Sequence, residues 1–545
     1  MNFQFFTFLN NETGEVNFKL ILMTATSGLS NTLNLALINA SVASMKEGGP
    51  FWQHFVIFGI SLTLFVYSLR YILYESSRIA EKAVCNIRAR LGDKIRRCDL
   101  QSLEKIGESD ILARISRDTG MISQTTRPLF AATQAAFMVI FTLLYIAVES
   151  PIAVVLCGIM ILCGAIFYMK DRDAYEKGLS DSSDSEDELA KSLTGLLRGF
   201  KEIRINQKKS DAVFADFCDI ASTVSIVRTK VMQLYADTVV FIEMFFVILL
   251  GGVVFILPVI SNEFAGTVTQ IVAAILFFFG PLATVIMMYP VYTQANMTVD
   301  NLYRLERDLD RDQKVKNDSH SIVQQEFNDF KTIRFDQVGF IYADPDGLPS
   351  FQIGPITTTV NRGEILFLIG GNGSGKTSFM KLFTLLYLPT SGTIFVDDQP
   401  IDDGNIISYR NLFSAIFSDF YLFDKLYGVG DVPPERVQEL LKLMGIAHKT
   451  GIKNGCFTNT NLSTGQRKRL ALVMAYLEDK PVYIFDEVAA DQDPQFRSYF
   501  YETLLPELKA AGKTILVVSH DDRYFHVADR ILQMDYGQLF AYMDK

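Results

Sequence analysis

Apolar and polar positions divide the chain into two halves with different patterns. Over roughly the first 300 residues the apolar positions form long runs, and a helix needs about 20 mostly apolar residues to cross a bilayer. Afterwards the apolar runs are short and typical of buried strands. The pattern therefore predicts a membrane half followed by a half outside the bilayer.

Six stretches of the first half are predicted to be spanning helices. They are about 19–43, 52–74, 129–149, 151–170, 238–260 and 265–292, and the first is the richest in Ser, Thr and Asn. Very short polar segments separate the third span from the fourth, at 149–151, and the fifth from the sixth, at 261–264. Each of these pairs is therefore expected to form a helical hairpin.

Loop charges predict the orientation of the spans. Segments 76–128 and 170–232 carry 11 Lys or Arg each, whereas the opposite loops carry only Lys46. Basic loops stay on the cytoplasmic side, so we expect both long loops and both termini there. The two basic loops also have a helical pattern, which predicts helices that continue below the membrane and contact the second half. Alternatively, the basic residues only set the topology.

The boundaries follow from these patterns. We predict a transmembrane domain at 1–302, a charged linker at 303–330, and a second domain at 331–545 that opens with a strand at 332–338.

Composition narrows the function classes. The chain is 49% hydrophobic and has a net charge of −10 without a dense basic arm, so no nucleic-acid partner is expected. Its six cysteines form no C-x-x-C pair, which predicts neither disulfides nor a zinc site. The first residues lack the pattern of a cleavable signal peptide.

A glycine-rich loop at 370–377 is the strongest candidate for chemistry. It reads Gly-Gly-Asn-Gly-Ser-Gly-Lys-Thr, and it lies between a strand pattern at 364–369 and a helical pattern at 378–386. This order is the context of a phosphate-binding loop, in which backbone N–H groups and a helix N-terminus attract phosphate. Lys376 is expected to reach the β- and γ-phosphates of ATP, and Thr377 to hold Mg²⁺. The predicted ATP-binding residues here are Gly370, Asn372, Gly373, Ser374, Gly375, Lys376, Thr377 and Ser378.

Two adjacent acids follow a second apolar strand pattern at 482–485. Asp486 is placed to hold the water shell of Mg²⁺, and Glu487 to polarise the attacking water. The alternative is a strand end capped by two solvated acids, and the upstream phosphate loop argues against it.

Residues 462–466, Leu-Ser-Thr-Gly-Gln, resemble the signature of the ATP-binding cassette (ABC) transporter family, with Thr464 in place of a glycine. The resemblance extends to His520 as the switch histidine, Asp493 as the D-loop aspartate and Tyr342 as the aromatic residue on adenine. It implies a multidomain membrane protein. A six-helix all-α transmembrane domain of the exporter type would precede an α/β P-loop NTPase domain with a helical subdomain.

In that family the signature of one cassette closes on the ATP held by another. The chain has one phosphate loop and one signature, so the resemblance implies a dimer, most simply a homodimer, with a heterodimer as the alternative. The signature residues Ser463, Thr464, Gly465 and Gln466 would contact ATP, and Glu487 and His520 would be the catalytic residues.

One position departs from the family pattern. Ser418, followed by Asp419, stands where the family has a glutamine that leads into the helical subdomain. Serine is too short to reach Mg²⁺ in the same way. The hypothesis is that Ser418 or Asp419 keeps a role close to the metal.

The order of the two halves on one chain resembles the exporter branch of the family. Segments 417–423, 462–469, 489–494 and 519–525 resemble the branch that moves cyclic or nonribosomal peptides and siderophore precursors, including pyoverdine-type exporters. This implies ATP-driven export by alternating access across a bacterial inner membrane, with the ATPase domain in the cytoplasm. A lipid or lipopeptide flippase and an ATP-gated channel or regulator are the alternatives.

The membrane half offers candidates for substrate contact. Polar residues recur on one helical face of the first span, at Thr24, Ser27, Asn31 and Asn34. This face either lines a polar cavity or packs against another helix. Glu243 lies about two turns into the fifth span, where it either contacts substrate or pairs with Arg70.

Overall fold

A computed structural model describes residues 4–15, 18–46, 52–256, 268–311, 327–343, 349–430 and 432–542. The predicted turn at 261–264, the adjoining ends of the fifth and sixth predicted spans, and linker residues 312–326 lie outside them. The chain forms two compact units. Unit 1 comprises Met1–Arg96 and Ile106–Arg311, and unit 2 comprises Arg97–Lys105 and Asp312–Lys545.

Unit 1 is helical throughout its described residues. Its helices are Gln4–Thr13, Phe18–Lys46, Trp52–Arg97, Glu108–Glu149, Pro151–Arg198, Phe200–Ile205, Gln207–Gly251, Val268–Met287 and Tyr289–Arg311, with a π-helical turn at Gly252–Ile256. The third of these ends at Arg97, the first residue of a segment that belongs to unit 2. Trp52–Arg97 has 46 residues. At 1.5 Å per residue its length is about 69 Å, more than twice the thickness of a bilayer core.

Five helices in the described part of the chain are long and apolar enough to cross a membrane. They are Phe18–Met45, Trp52–Arg97, Glu108–Glu149, Gln207–Phe255 and Val268–Asp310. The fourth of these includes the π-helical turn after Gly251, and the fifth combines helices Val268–Met287 and Tyr289–Arg311. The predicted span at 151–170 begins a 48-residue helix, in which the apolar stretch is the shorter Pro151–Gly164. The count of six spans is therefore not confirmed, although the helical class of this half is.

Small and polar side chains join the first spanning helix to helix Glu108–Glu149. A Cβ on Gly28 would lie 3.0 Å from Phe137 Cβ, so the two helices approach closely there. Gln134 Nε2 donates to Ser27 Oγ at 2.8 Å in the same interface. Such contacts are typical of helices that pack within a bilayer.

The described residues of unit 2 form three sheets. Its strands are β1 Thr332–Ala343, β2 Pro349–Asn361, β3 Ile365–Ile369, β4 Ser391–Val396, β5 Gln399–Pro400, β6 Phe413–Ile416, β7 Ile452–Lys453, β8 Cys456–Phe457, β9 Val482–Asp486, β10 Thr514–Val518, β11 Arg530–Asp535 and β12 Gln538–Ala541. The central sheet has the order β12-β11-β3-β10-β9-β6, and all its pairs are parallel except β11 with β12. A second, antiparallel sheet has the order β2-β1-β4-β5. Strands β7 and β8 form the third sheet.

The helices of unit 2 are Leu100–Ile106 (its last residue already in unit 1), Lys376–Phe383, Ile406–Arg410, Pro434–Leu443, Thr464–Glu478, Pro494–Tyr499 and Leu505–Ala510, with a π-helical turn at Phe500–Leu504 and a 3₁₀ turn at Asp522–Val527.

Apolar side chains of the central strands alternate between two cores. In β9, Ile484 packs with helix Lys376–Phe383 and the second sheet, whereas Phe485 packs with helix Thr464–Glu478. Such a period of two buries both faces of the sheet. Only the strand ends remain for polar chemistry.

Phe383 tests the first core. The side chain is fully buried, and its ring stacks on Phe335 with centroids 5.4 Å apart. Phe383→Ala is expected to destabilise unit 2 by about 3–5 kcal/mol, because a large cavity replaces the ring. In the full-length chain, unit 2 should then lose protease resistance at a lower temperature. Phe423→Ala, at a ring that is 57% exposed, is the control and should change little. If Phe383→Ala loses protease resistance at the same midpoint temperature as the wild type, the result would contradict this packing.

Candidate active site

The glycine-rich loop follows β3 with a backbone conformation that favours glycine. Gly370, Gly373 and Gly375 have φ angles of 151°, 77° and 108°. A Cβ on Gly370 would also lie 2.3 Å from Met534 O. The glycines therefore permit the tight turn that leads into helix Lys376–Phe383.

Two polar groups of this loop fit a phosphate ligand. Lys376 Nζ donates to the carbonyl oxygens of Gly370 and Gly371, each at 2.9 Å, and burial lowers the pKa of Lys376. Ser374 Oγ is buried and has no hydrogen-bond partner among the described residues. A buried hydroxyl of this kind calls for a ligand or water. The loop thus holds an ammonium group and an unsatisfied hydroxyl beside a helix N-terminus, where phosphate binds well.

The predicted hydrolytic residues meet at the neighbouring strand ends. Asp486 ends β9 and is 2% exposed, and burial raises the pKa of its carboxyl group. Glu487 follows with φ of 51°, a left-handed conformation that is costly for glutamate and common at functional sites. His520, beyond the end of β10, places Nε2 3.2 Å from Glu487 Oε1. The structure therefore brings these three residues together.

Ser418 belongs to the same cluster. Its backbone N–H donates to Asp486 Oδ2 at 3.3 Å, which lowers the pKa of that carboxyl group against the larger effect of burial. The segment follows β6, the strand that pairs with β9. Ser418 thus occupies a position beside the acid that is predicted to hold the metal's water shell.

Tyr342 lies at the end of β1, beside the first turn of the phosphate-loop helix. Its Oη is 2.7 Å from Ser378 Oγ, and its ring packs near Phe351 and Tyr387. An aromatic ring is thus positioned next to the phosphate loop. Its stacking on adenine stays a prediction.

The signature residues begin helix Thr464–Glu478. Gln466 Oε1 accepts from Ser463 N at 3.3 Å, which helps to cap this helix. Gln492 Nε2 donates to Gly465 O at 2.9 Å, and a Cβ on Gly465 would lie 2.9 Å from Asp491 O. Ser463 and Thr464 remain exposed. The signature is therefore held by the segment after Glu487, and its hydroxyls face outward.

The sequence analysis missed two basic residues of this helix. Lys468 is 5% exposed, and its Nζ donates to Glu487 O at 2.8 Å and to Asp491 Oδ2 at 2.7 Å. Arg469 pairs with Asp493 and lies over the ring of Phe496. The signal available in the sequence was the basic run at 467–469, directly after the signature.

Asp493 caps a short helix as well. It accepts from Phe496 N at 2.9 Å, and this hydrogen bond, with the neighbouring Arg469 guanidinium, lowers the pKa of Asp493. Its role toward ATP stays a prediction.

Helix Leu100–Ile106 brings part of the first basic loop into unit 2. Glu104 Oε1 accepts from Lys381 Nζ at 2.8 Å, and Glu104 Oε2 accepts from Tyr387 Oη at 2.5 Å. Burial raises the pKa of Tyr387, whose ring also packs against Tyr342. A single aromatic ring thus separates Glu104 from the predicted adenine contact.

The candidate substrate residues belong to unit 1. Asn31 Nδ2 is 3.7 Å from Met138 Sδ, and Asn34 is 7% exposed with an unpartnered Oδ1 among the described residues. Glu243 is exposed on helix Gln207–Gly251. Among the ion pairs of the described residues, none joins Glu243 to Arg70.

Comparisons with known proteins agree with this geometry. Residues 353–490 match the ABC transporter family, and residues 18–285 match the ABC transporter transmembrane region. The chain is an ABC transporter. Its membrane and ATPase regions are fused on one polypeptide, as predicted, and ATP hydrolysis coupled to transport is confirmed with the family.

This ABC transporter is similar in sequence or in structure to several known proteins. It is 29% identical to "ATP-binding protein SyrD" from Pseudomonas syringae pv. syringae, across 96% of this chain and 93% of that protein. It is 30% identical to an "ATP-dependent lipid A-core flippase" from Bordetella avium, across only 38% of this chain and 36% of that protein. The structure of a bacterial Atm1-family ABC exporter with ATP bound has the same fold, with a TM-score of 0.76 and 16% identity over 95% of this chain and 92% of that chain.

The segment at Ser418 gives a testable prediction for this transporter. Replacing both Ser418 and Asp419 by alanine is expected to raise the Mg²⁺ concentration for half-maximal ATPase about fivefold, because a hydroxyl group and a carboxylate that could bind water beside Asp486 are removed. ATPase activity of the purified protein is measured against Mg²⁺ concentration. Asp403→Ala, at an exposed acid, is the control. An unchanged Mg²⁺ dependence in the double variant would exclude a role close to the metal.

Proposed function

We propose that this protein exports a peptide-like small molecule across a bacterial inner membrane, driven by ATP and by alternating access. The cargo class is a cyclic or nonribosomal peptide or a siderophore precursor. The observation that carries the proposal is the match to SyrD along nearly the whole chain, membrane half included. Cassette segments 417–423, 462–469, 489–494 and 519–525, which resemble the peptide and siderophore branch, support the same cargo class.

A homodimer forms the working transporter in this proposal. Ser463 and Thr464 are exposed at the N-terminus of a 15-residue helix, where the helix dipole favours a phosphate group. In a dimer these hydroxyls face the ATP held by the partner. Both termini and the ATPase domain lie in the cytoplasm, as the basic loops indicate.

Mg²⁺ is the cofactor of this proposal, held between Thr377 and Asp486 with Ser418 beside them. The buried carboxylate of Asp486 is a suitable oxygen donor for the water shell of this ion. Among the described residues, no group of three or more His, Cys, Asp or Glu side chains is arranged to hold a metal ion. This fits an ion held mainly by ATP phosphates and water. The ion would neutralise charge on the phosphates.

Glu487 acts as the general base toward the attacking water, and His520 holds its carboxylate in place. Glu487→Gln is expected to lower ATP turnover at least about a hundredfold, because the amide does not accept the proton. ATP binding persists in this variant, so a closed dimer with bound ATP should accumulate. ATPase assays and size-exclusion chromatography with ATP measure the two effects. Glu439→Gln, at a carboxylate on the surface, is the control. Near-normal turnover would remove Glu487 from this role.

Transport in proteoliposomes tests the cargo. Cyclic peptides carried by the transporter should stimulate ATPase and accumulate with ATP, whereas lipid A and phospholipids should do neither. The Glu487→Gln variant gives the background signal of each assay, because it hydrolyses almost no ATP.

The matches to lipid A-core flippases favour a second candidate, a lipid or lipopeptide flippase. Stimulation by lipids alone would establish that alternative. ATPase activity with no cargo response would favour a gate or regulator.

A further inference from the structure

A cavity of about 530 Å³ lies within unit 1. Its wall is formed by helices Glu108–Glu149, Pro151–Arg198, Gln207–Gly251 and the two helices after residue 267. Five methionines line it, namely Met121, Met232, Met287, Met288 and Met297, together with Tyr175 and Tyr235. Methionine side chains are flexible and polarisable, so they adapt to apolar groups of different shapes.

Asp118 is the unusual group in this wall. It is 3% exposed, and its Oδ1 accepts from the neighbouring Arg117 Nε at 3.2 Å. Its Oδ2 is buried and has no hydrogen-bond partner among the described residues. A buried carboxylate oxygen in this state carries a full desolvation penalty unless a donor reaches it. Asp118 thus lines the cavity with an unsatisfied carboxyl oxygen buried in the wall.

The cations in the wall are occupied by other carboxylates. Arg117 Nη1 donates to Asp187 at 2.5 Å, so Asp118 shares this guanidinium. Arg228 pairs with Glu186 at 3.1 Å. Arg117 and Arg228 are thus both engaged by carboxylates, and Asp118 Oδ2 stays without a donor beside a soft apolar lining.

We infer that this cavity binds amphipathic organic cations. An ammonium or guanidinium group of the ligand donates to Asp118 Oδ2, and its apolar part packs on the methionines. Tyr175 and Tyr235 add faces that attract a cation. This inference rests on the proposed export function and narrows its cargo to peptide-like molecules that carry positive charge.

A matched pair of fluorescent probes tests the charge requirement. Dansylcadaverine carries a primary ammonium on an apolar body, and N-acetyl-dansylcadaverine keeps the body but lacks the charge. Each probe is titrated into the full-length protein in nanodiscs without nucleotide, with empty nanodiscs as background. The ammonium probe is expected to bind at least about tenfold more tightly than its acetylated form. Equal affinities, or no saturable binding of either probe, would overturn the inference.

Two variants test whether the ammonium probe binds in this cavity. Asp118→Asn keeps the shape but removes the charge, and it should weaken the ammonium probe about tenfold while leaving the acetylated probe unchanged. Met232→Lys adds a competing cation at a side chain that is 60% exposed, so the fold should tolerate it, and the same selective loss is expected. Asp184→Asn, at an exposed acid outside the wall, is the control. If both cavity variants bind the ammonium probe like the wild type, the site lies elsewhere and the inference fails.

The binding experiment is separable from the export proposal, because it needs neither ATP nor transport. If the preference for the ammonium probe depends on Asp118 but no peptide is transported, the binding of cations in the cavity is supported and the export proposal fails. If neutral peptides are transported as well as cationic ones and the probes show no charge preference, export stands and this inference fails.

Discussion

Four neighbouring parallel strands hold the ATP site together. In the order β3-β10-β9-β6, each strand leads at its carboxyl end into one group of predicted site residues: the phosphate loop, His520, Asp486 with Glu487, and Ser418. Carboxyl ends of parallel strands meet at one edge, so segments far apart in the sequence converge there. The apolar alternation that buries both faces of the sheet is therefore also what assembles the site.

Contacts beyond this edge connect hydrolysis to the rest of unit 2. Lys468 links the signature helix to the backbone of Glu487, and its burial makes the pairing with Asp491 hard to replace. On the opposite face, Glu104 joins Tyr387 beside Tyr342. The predicted base and the predicted adenine contact are thus each tied to a helix outside the central sheet.

Local motifs could be predicted from the sequence, whereas long-range contacts could not. The phosphate loop was recognisable because strand, glycines and helix follow one another directly. The contact of Ser418 with Asp486 depends on β6 pairing with β9, which no local pattern shows. Hydropathy predicts the spanning helices, but the fourth predicted span is not confirmed, because its helix changes from apolar to polar along its length. Asp118 was missed because segment 76–128 was interpreted through its positive charges.

The segment around Asp118 also links the two units through the chain itself. Glu104 packs in unit 2, the chain turns at Gly107 with φ of 87°, and a helix then runs from Glu108 past Asp118. A helix held by continuous backbone hydrogen bonds moves largely as one piece. Transport requires a site whose affinity for cargo differs between two conformations. A buried carboxylate that shares Arg117 with Asp187 is sensitive to small shifts, because its free oxygen is satisfied only while a donor reaches it. In the proposed binding cavity, Asp118 therefore lies on the helix that follows the unit 2 segment Arg97–Lys105 after a short turn.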